Sequence, residues 1–282
     1  MKSSHISLCF PDSKRACFAC CPPIRPAGYE HLPYKNILKR ILRENTRDFN
    51  KRDRAIVPIT GFSCWALGYP DKAYRLIGCL LHPAQNGGRD LRYRVNYGEK
   101  CRRETCPQAK TFAALNKDLQ VFWLQIAAGL DTFSYSSRIF NPLFNMLDWG
   151  DGLLSQIAVK ERKKSFTWRS FRSSYPFFST DLLPRGNAYL LNCATKNGNL
   201  RVLKNSRFKT ALEIFSHSLS AHLNRLVPLK PEGPFVHLLD LDPCFLDFLR
   251  LSVHHRRITP EKALDLKEIV DTEIQKFLGG LL

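Results

Sequence analysis

The sequence has no apolar run approaching the roughly 20 residues that span a bilayer. Its longest such stretch, residues 121–130, is broken by Gln125. The start is also poor in leader character. The apolar patch from Ile6 to Phe10 is short, and Pro11, Asp12 and Lys14 interrupt it, which excludes a secretory h-region. These absences predict a chain with no membrane span, resident in the cytoplasm. Glycine-rich nucleotide signatures are missing too: there is no GxGxxG, P-loop or GxSxG, so neither phosphate cradling nor a nucleophile elbow is indicated. No CxxxCxxC radical signature, internal repeat or heptad run occurs. Acidic residues are scarce, 25 Asp+Glu against 43 Lys+Arg, for a formal charge of +18.

The histidines and carboxylates assemble no catalytic pair. His217 and His222 are five apart, so they do not share a helix face as an i, i+4 pair would. His254 and His255 precede Arg256 and Arg257 and read as dipole complements at a helix end. Asp240 with Asp242, and Asp148 with Asp151, read as caps or turns rather than hard-cation sites. The sequence specifies no reaction.

Apolar residues make up 44% of the chain, enough to bury a core and to exclude wholesale disorder. Cysteine is unevenly spread. Of ten, eight lie in residues 1–110: Cys9, Cys17, Cys20, Cys21, Cys64, Cys79, Cys101 and Cys106. That region holds 21 basic and 9 acidic residues, against 22 and 16 in residues 111–282. Both shifts put a boundary near residues 106–111. The expected organisation is a cysteine-cluster metal-binding domain over 1–110 and a helical domain over 111–282. The expected fold class is mainly α, with an irregular, metal-ordered N-terminal part.

Residues 9–33 carry Pro11, Pro22, Pro23, Pro26 and Pro33, a density that forbids regular helix or central strand. Residues 35–49 form a predicted helix. Its apolar stripe is Ile37, Leu38, Ile41 and Leu42, and its basic remainder is Lys35, Lys39, Arg40, Arg43 and Arg47. Asn86-Gly87-Gly88 marks a turn, and residues 93–97 read as a short strand. A core-facing stripe recurs through Phe112, Leu115, Leu119, Phe122, Ile126, Leu130 and Phe133. Further helices are predicted over 209–226 and 243–253. The last has Thr259 as N-cap, Pro260 at the first position and Gly279-Gly280 at its end. Residues 165–184 read as a long aromatic, basic loop.

In a reducing compartment, clustered thiols are ligands or catalysts rather than disulfides. Cys17-Phe18-Ala19-Cys20-Cys21 places three thiols in five residues, with Cys9 upstream. Cysteines three apart can turn both sulfurs onto one ion. The second group is Cys64, Cys79, Cys101 and Cys106, with His82 three residues after Cys79. Lys14 and Arg15 flank the first group, and Lys100, Arg102 and Arg103 surround Cys101. Such cations favour the metal-binding thiolate. One mixed site and two separate sites fit these spacings equally. Cys193 and Cys244, in helical apolar context, read as inert core thiols.

The order Cys9…Cys17-x2-Cys20-Cys21, then Ile77-Gly78-Cys79-Leu80-Leu81, then Cys101 and Cys106 among basic residues, resembles the YkgJ-like cysteine-cluster family. The resemblance covers residues 9–106 and implies chelation of zinc or iron. It differs in its long interval between Cys9 and Cys17 and in the basic helix between Cys21 and Cys64. Ligand type alone favours structural zinc, which accepts any tetrahedral Cys/His set. An iron–sulfur cluster is the alternative, though CxxCC is not the C-x2-C-x2-C run that clusters commonly use.

The charge makes nucleic acid a second expected partner. Two patches stand out: the helix over 35–49, and residues 162–172. The latter interleaves Arg162, Lys163, Lys164, Arg169 and Arg172 with Phe166, Trp168 and Phe171, rings able to stack on bases.

Overall fold

The computed structural model describes residues 6–19, 30–49, 51, 55–60, 63–96, 101, 106–161, 166–178, 185–227 and 232–280. The protein is mainly helical, and the one sheet among the described residues is an antiparallel pair of two-residue strands. None of the described helices is long and apolar enough to cross a membrane. The chain forms two compact units, Met1–Leu147 and Asp148–Leu282. The helix Pro107–Ala114 packs on the helix Pro142–Leu147 inside the first unit. The composition shift at 106–111 therefore falls within a packed unit.

In the first unit, the helix Lys35–Phe49 buries Leu38 and Leu42. The helix packs on the strand Leu67–Gly68, which pairs with Gly78–Cys79, Leu67 opposite Cys79. Polar side chains on the helix fix its place. Asn45 donates from Nδ2 to the carbonyls of Cys64 (3.1 Å) and Leu67 (3.0 Å). Thr46 Oγ1 accepts the N–H of Tyr69 at 2.8 Å. One buried cluster follows, including Phe18, Trp65, Ile77, Leu81, Val95 and Phe133.

The stripe from Phe112 to Phe133 is buried apart from half-buried Leu130, but it is not one helix. It breaks into helices Pro107–Ala114, Lys117–Leu124 and Thr132–Ser136. Asn116 and Asp131 each start a new helix by accepting a backbone N–H. Gly129 between them takes φ +82°, which favours glycine. The strand expected over 93–97 is instead a 3-10 turn, Arg92–Val95.

The second unit is built on helices Asp151–Glu161, Trp168–Ser174, Ala188–Ala194, Ser206–Leu226, Pro243–Leu251 and Pro260–Gly279. Thr259 caps the last, as expected, accepting from the N–H of Lys262. The loop expected over 165–184 contains the helix Trp168–Ser174, opened by a Thr167–Ser170 capping box. Phe166 and Phe171 are buried there. Phe171 meets Phe166, Trp168, Tyr175 and Phe178 at ring separations of 5.2 to 5.6 Å. The Phe166 and Phe171 rings therefore serve the core, while Trp168 is half-buried against Phe171, and residues 162–165 of the expected basic patch lie outside the described residues.

Candidate functional site

The first cysteine segment is a closed loop. The N–H of Cys17 donates to the carbonyl of Cys9 at 2.9 Å, which brings the two residues side by side. Inside the loop, Asp12 accepts the N–H groups of Lys14 and Arg15, both at 2.8 Å. The Arg15 guanidinium returns to Asp12 Oδ2 through Nε (2.8 Å) and Nη2 (2.6 Å), and reaches the carbonyl of Leu124 through Nη1 (2.7 Å). Burial tends to raise the Asp12 carboxyl, but the Arg15 and Lys14 hydrogen bonds outweigh it and hold it below its ordinary range.

The short helix Thr132–Ser136 pins this loop. Tyr135 donates its hydroxyl to the carbonyl of Leu8 at 3.1 Å. Thr132 Oγ1 donates to the carbonyl of Ala16 at 3.1 Å and accepts the N–H of Ile77 at 3.1 Å. Ser136 Oγ accepts the N–H of Phe18 at 3.0 Å. Burial pushes the Tyr135 hydroxyl well up, and Cys17 and Cys9 add to that rise. No local motif in the sequence marks Thr132, Tyr135 or Ser136. Their partners lie more than a hundred residues away for the loop.

Of the second group, only Cys79 lies on the hairpin. Cys64 is buried, and half-buried Cys79 and Cys101 pack against the same cluster. Burial pushes the Cys64 thiol up to about 11, with Cys101 adding. Cys79 is pushed up to about 12, again chiefly by burial, with Cys64 and Cys101 adding and Arg92 opposing. Arg92 is clamped between Asp90, through Nε (2.8 Å) and Nη2 (2.7 Å), and the carbonyl of Cys101, through Nη1 (3.1 Å). It puts a fixed cation beside the group.

The remaining expected ligands fall elsewhere. Cys20 and Cys21 lie outside the described residues. Cys106 caps the helix Pro107–Ala114, its Sγ accepting the N–H of Ala109 at 3.3 Å. His82 caps the 3-10 turn Pro83–Gln85, its Nδ1 accepting the N–H of Ala84 at 3.1 Å. Burial, helped by Arg92, pushes the His82 imidazole down to about 4, so the ring is neutral at physiological pH. Among the described residues, no three His, Cys, Asp or Glu side chains converge as a group that could hold a metal ion.

Outside these groups, Cys193 and Cys244 are half-buried on helices. Burial leads in pushing both thiols up, to about 11 and about 12. Asp242 is a helix cap, accepting the N–H of Phe245 at 2.9 Å. His255 is 2% exposed rather than a solvent-facing dipole complement, and its Nε2 is buried without a hydrogen-bond partner.

The donor chemistry suits a thiophilic ion. Buried thiols with raised pKa values are neutral by themselves, and a divalent cation beside them draws off the proton. The described groups supply Cys9 with Cys17, and Cys64 with Cys79 and Cys101, each short of the four ligands of a structural zinc. No family model, curated protein or solved structure matches the chain.

Proposed function

We propose that the cysteine groups of the first unit bind metal, with structural zinc preferred over an iron–sulfur cluster. The observation that carries this reading is the density of thiols along the first unit's sequence, with Cys64 buried in one hydrophobic cluster, half-buried Cys79 and Cys101 packed against that cluster, and Arg92 held at the carbonyl of Cys101. Thiols at that density, with cations nearby to favour thiolate, suit metal better than random core cysteines do. Cys9 and Cys17, with Cys20 and Cys21 following in sequence, supply the other half of the donor set. The resemblance to the YkgJ-like cysteine-cluster family supports the same chemistry. A bound zinc would supply folding free energy by cross-linking its ligand segments. The protein's own share is to close the Cys9–Cys17 loop, seat the hairpin and hold Arg92.

Purification without oxygen, followed by assay of zinc, iron and acid-labile sulfide per chain, tests this. One or two zinc ions without sulfide is the expected result. Iron with sulfide and a brown colour assigns the cluster instead. Neither metal overturns the reading. Cys20→Ala or Cys21→Ala should lower metal content and melting temperature together.

A second reading is nucleic-acid binding, with the metal region as scaffold. The formal charge of +18 favours it, because such a chain attracts phosphate backbones at low salt. The helix Lys35–Phe49 also keeps an exposed basic face.

A further inference from the structure

Arg40, Arg43 and Arg47 recur at helical spacing on the helix Lys35–Phe49, and all three are exposed. Positions three and four apart share one face of a helix, so the guanidinium groups form a stripe. Arg40 and Arg43 have no carboxylate partner among the described residues. Glu44 stands on the same side of the helix. Asp48 is engaged by Arg47 (3.6 Å) and Lys51 (3.0 Å). Exposed Ile37, 53% accessible, adds an apolar element.

A second observation adjoins the stripe. Tyr74 lies in the loop after the first strand, and the Arg43 guanidinium sits 5.4 Å from its ring centre. Tyr69 packs edge-on at 5.1 Å. The Tyr74 backbone takes φ +54°, a region that bulky residues seldom occupy. Asp71 holds that conformation: its carbonyl accepts the N–H of Tyr74 (3.2 Å), and its carboxylate accepts from Arg75 (3.0 Å) and Leu76 (2.7 Å). The outcome of this enforced turn is a half-exposed aromatic ring, 49% accessible, beside a row of arginines. Exposed Lys72 and Arg75 extend the positive charge around it. Strained residues that surrounding structure over-determines cluster at binding sites. A solvated basic surface has no need of such a ring.

We propose that Arg40, Arg43 and Arg47 with Tyr74 form a contact surface for single-stranded nucleic acid. The arginines neutralise successive phosphates, and the Tyr74 ring stacks on an unpaired base. Aromatic stacking selects single strands because a duplex keeps its bases stacked on one another. The inference rests on the nucleic-acid reading above and adds where and in what form the ligand binds.

The test uses the full chain, purified without chelator, and fluorescence anisotropy of labelled oligouridine, oligothymidine and a duplex of equal length. For the wild type, single strands should bind more tightly than duplex, and affinity should fall steeply between about 50 and 200 mM salt. Arg40→Gln with Arg43→Gln should reduce the salt slope by about 1.4, at about 0.7 per phosphate on single strands. Tyr74→Ala should weaken binding about 5- to 100-fold at unchanged slope, while Tyr74→Phe keeps it. Lys276→Gln, in the second unit, should leave binding unchanged. Circular dichroism and melting of each variant separate lost binding from lost fold. If no oligonucleotide binds at any salt, both this surface and the nucleic-acid reading fail. If binding survives the arginine and Tyr74→Ala substitutions unaltered, the nucleic-acid reading stands and this surface is overturned. Equal binding of duplex with a silent Tyr74→Ala overturns the stacking role.

Discussion

Phe10 lies so close over Gly78 that a Cβ added there would stand 2.4 Å from its ring carbon Cζ. The same ring lies 5.0 Å from His82. Through this contact the residue after Cys9 touches the residue before Cys79, which links the first cysteine segment to the hairpin.

Gly78→Ala should therefore destabilise the protein by about 1–3 kcal/mol, as overpacking does. In a Phe10→Ala background the same substitution should cost clearly less. Urea unfolding of the four proteins of this cycle measures the coupling, and equal costs in both backgrounds would contradict the contact.

Thr132 joins two distant segments by one hydroxyl. Thr132→Val keeps the shape but leaves the N–H of Ile77 and the carbonyl of Ala16 without that partner, at a cost of about 1–3 kcal/mol. Tyr135→Phe should cost about 0.5–1.5 kcal/mol through its bond to Leu8. Amide exchange at Ile77 should quicken in Thr132→Val and not in Tyr135→Phe. Unchanged exchange in the first variant would refute the bridge.

How far these contacts could be read in advance follows from their reach along the chain. The helix Lys35–Phe49 was legible because its stripe and its breakers are local, and Thr259-Pro260 announced the last helix in two residues. The burial of Phe112, Leu119 and Phe133 was legible too, but not the breaks between them. Asn116 and Asp131 are capping residues that a strong periodic stripe overshadows. Phe166 and Phe171 were misread because interleaved rings and cations look alike in a core edge and in a stacking face. In the candidate site, the cysteine spacing was visible in the sequence, but not the capping role of His82. The Thr132–Ser136 clamp was not, since nothing near those residues records what they hold. The capping role of Cys106 was likewise hidden, although Pro107 after it is a common first helical residue.

The thiols should separate by function. Cys79→Ser should lower both bound metal and melting temperature, while Cys193→Ser and Cys244→Ser should leave metal per chain unchanged. Elemental analysis of the three variants beside wild type reads this directly. Equal metal loss in all of them would remove the distinction between the groups.

His255 predicts a response to acid. Burial lowers its pKa below the ordinary 6.5, and its Nε2 has no partner to stabilise a proton. Below pH 6.5 the unfolded chain takes up that proton more readily than the folded one. Its contribution to stability is then complete above pH 6.5 and declines as pH falls toward the lowered folded value. Guanidinium unfolding at pH 7.5 and pH 5.5 should show a smaller loss in His255→Leu than in wild type. Identical losses would remove His255 as the cause.

The hydrogen bond from the N–H of Phe18 to Ser136 spans 118 positions. At ribosomal rates, roughly 6 to 24 s separate the synthesis of its two ends. Cys9 and Cys17 are thus made early, yet their loop cannot acquire this clamp until the helix Thr132–Ser136 has been translated. During that interval the nascent thiols meet whatever ions and oxidants surround them without the enclosure of the finished unit. The order of synthesis gives any ion captured by these cysteines a head start over the contacts that later enclose them.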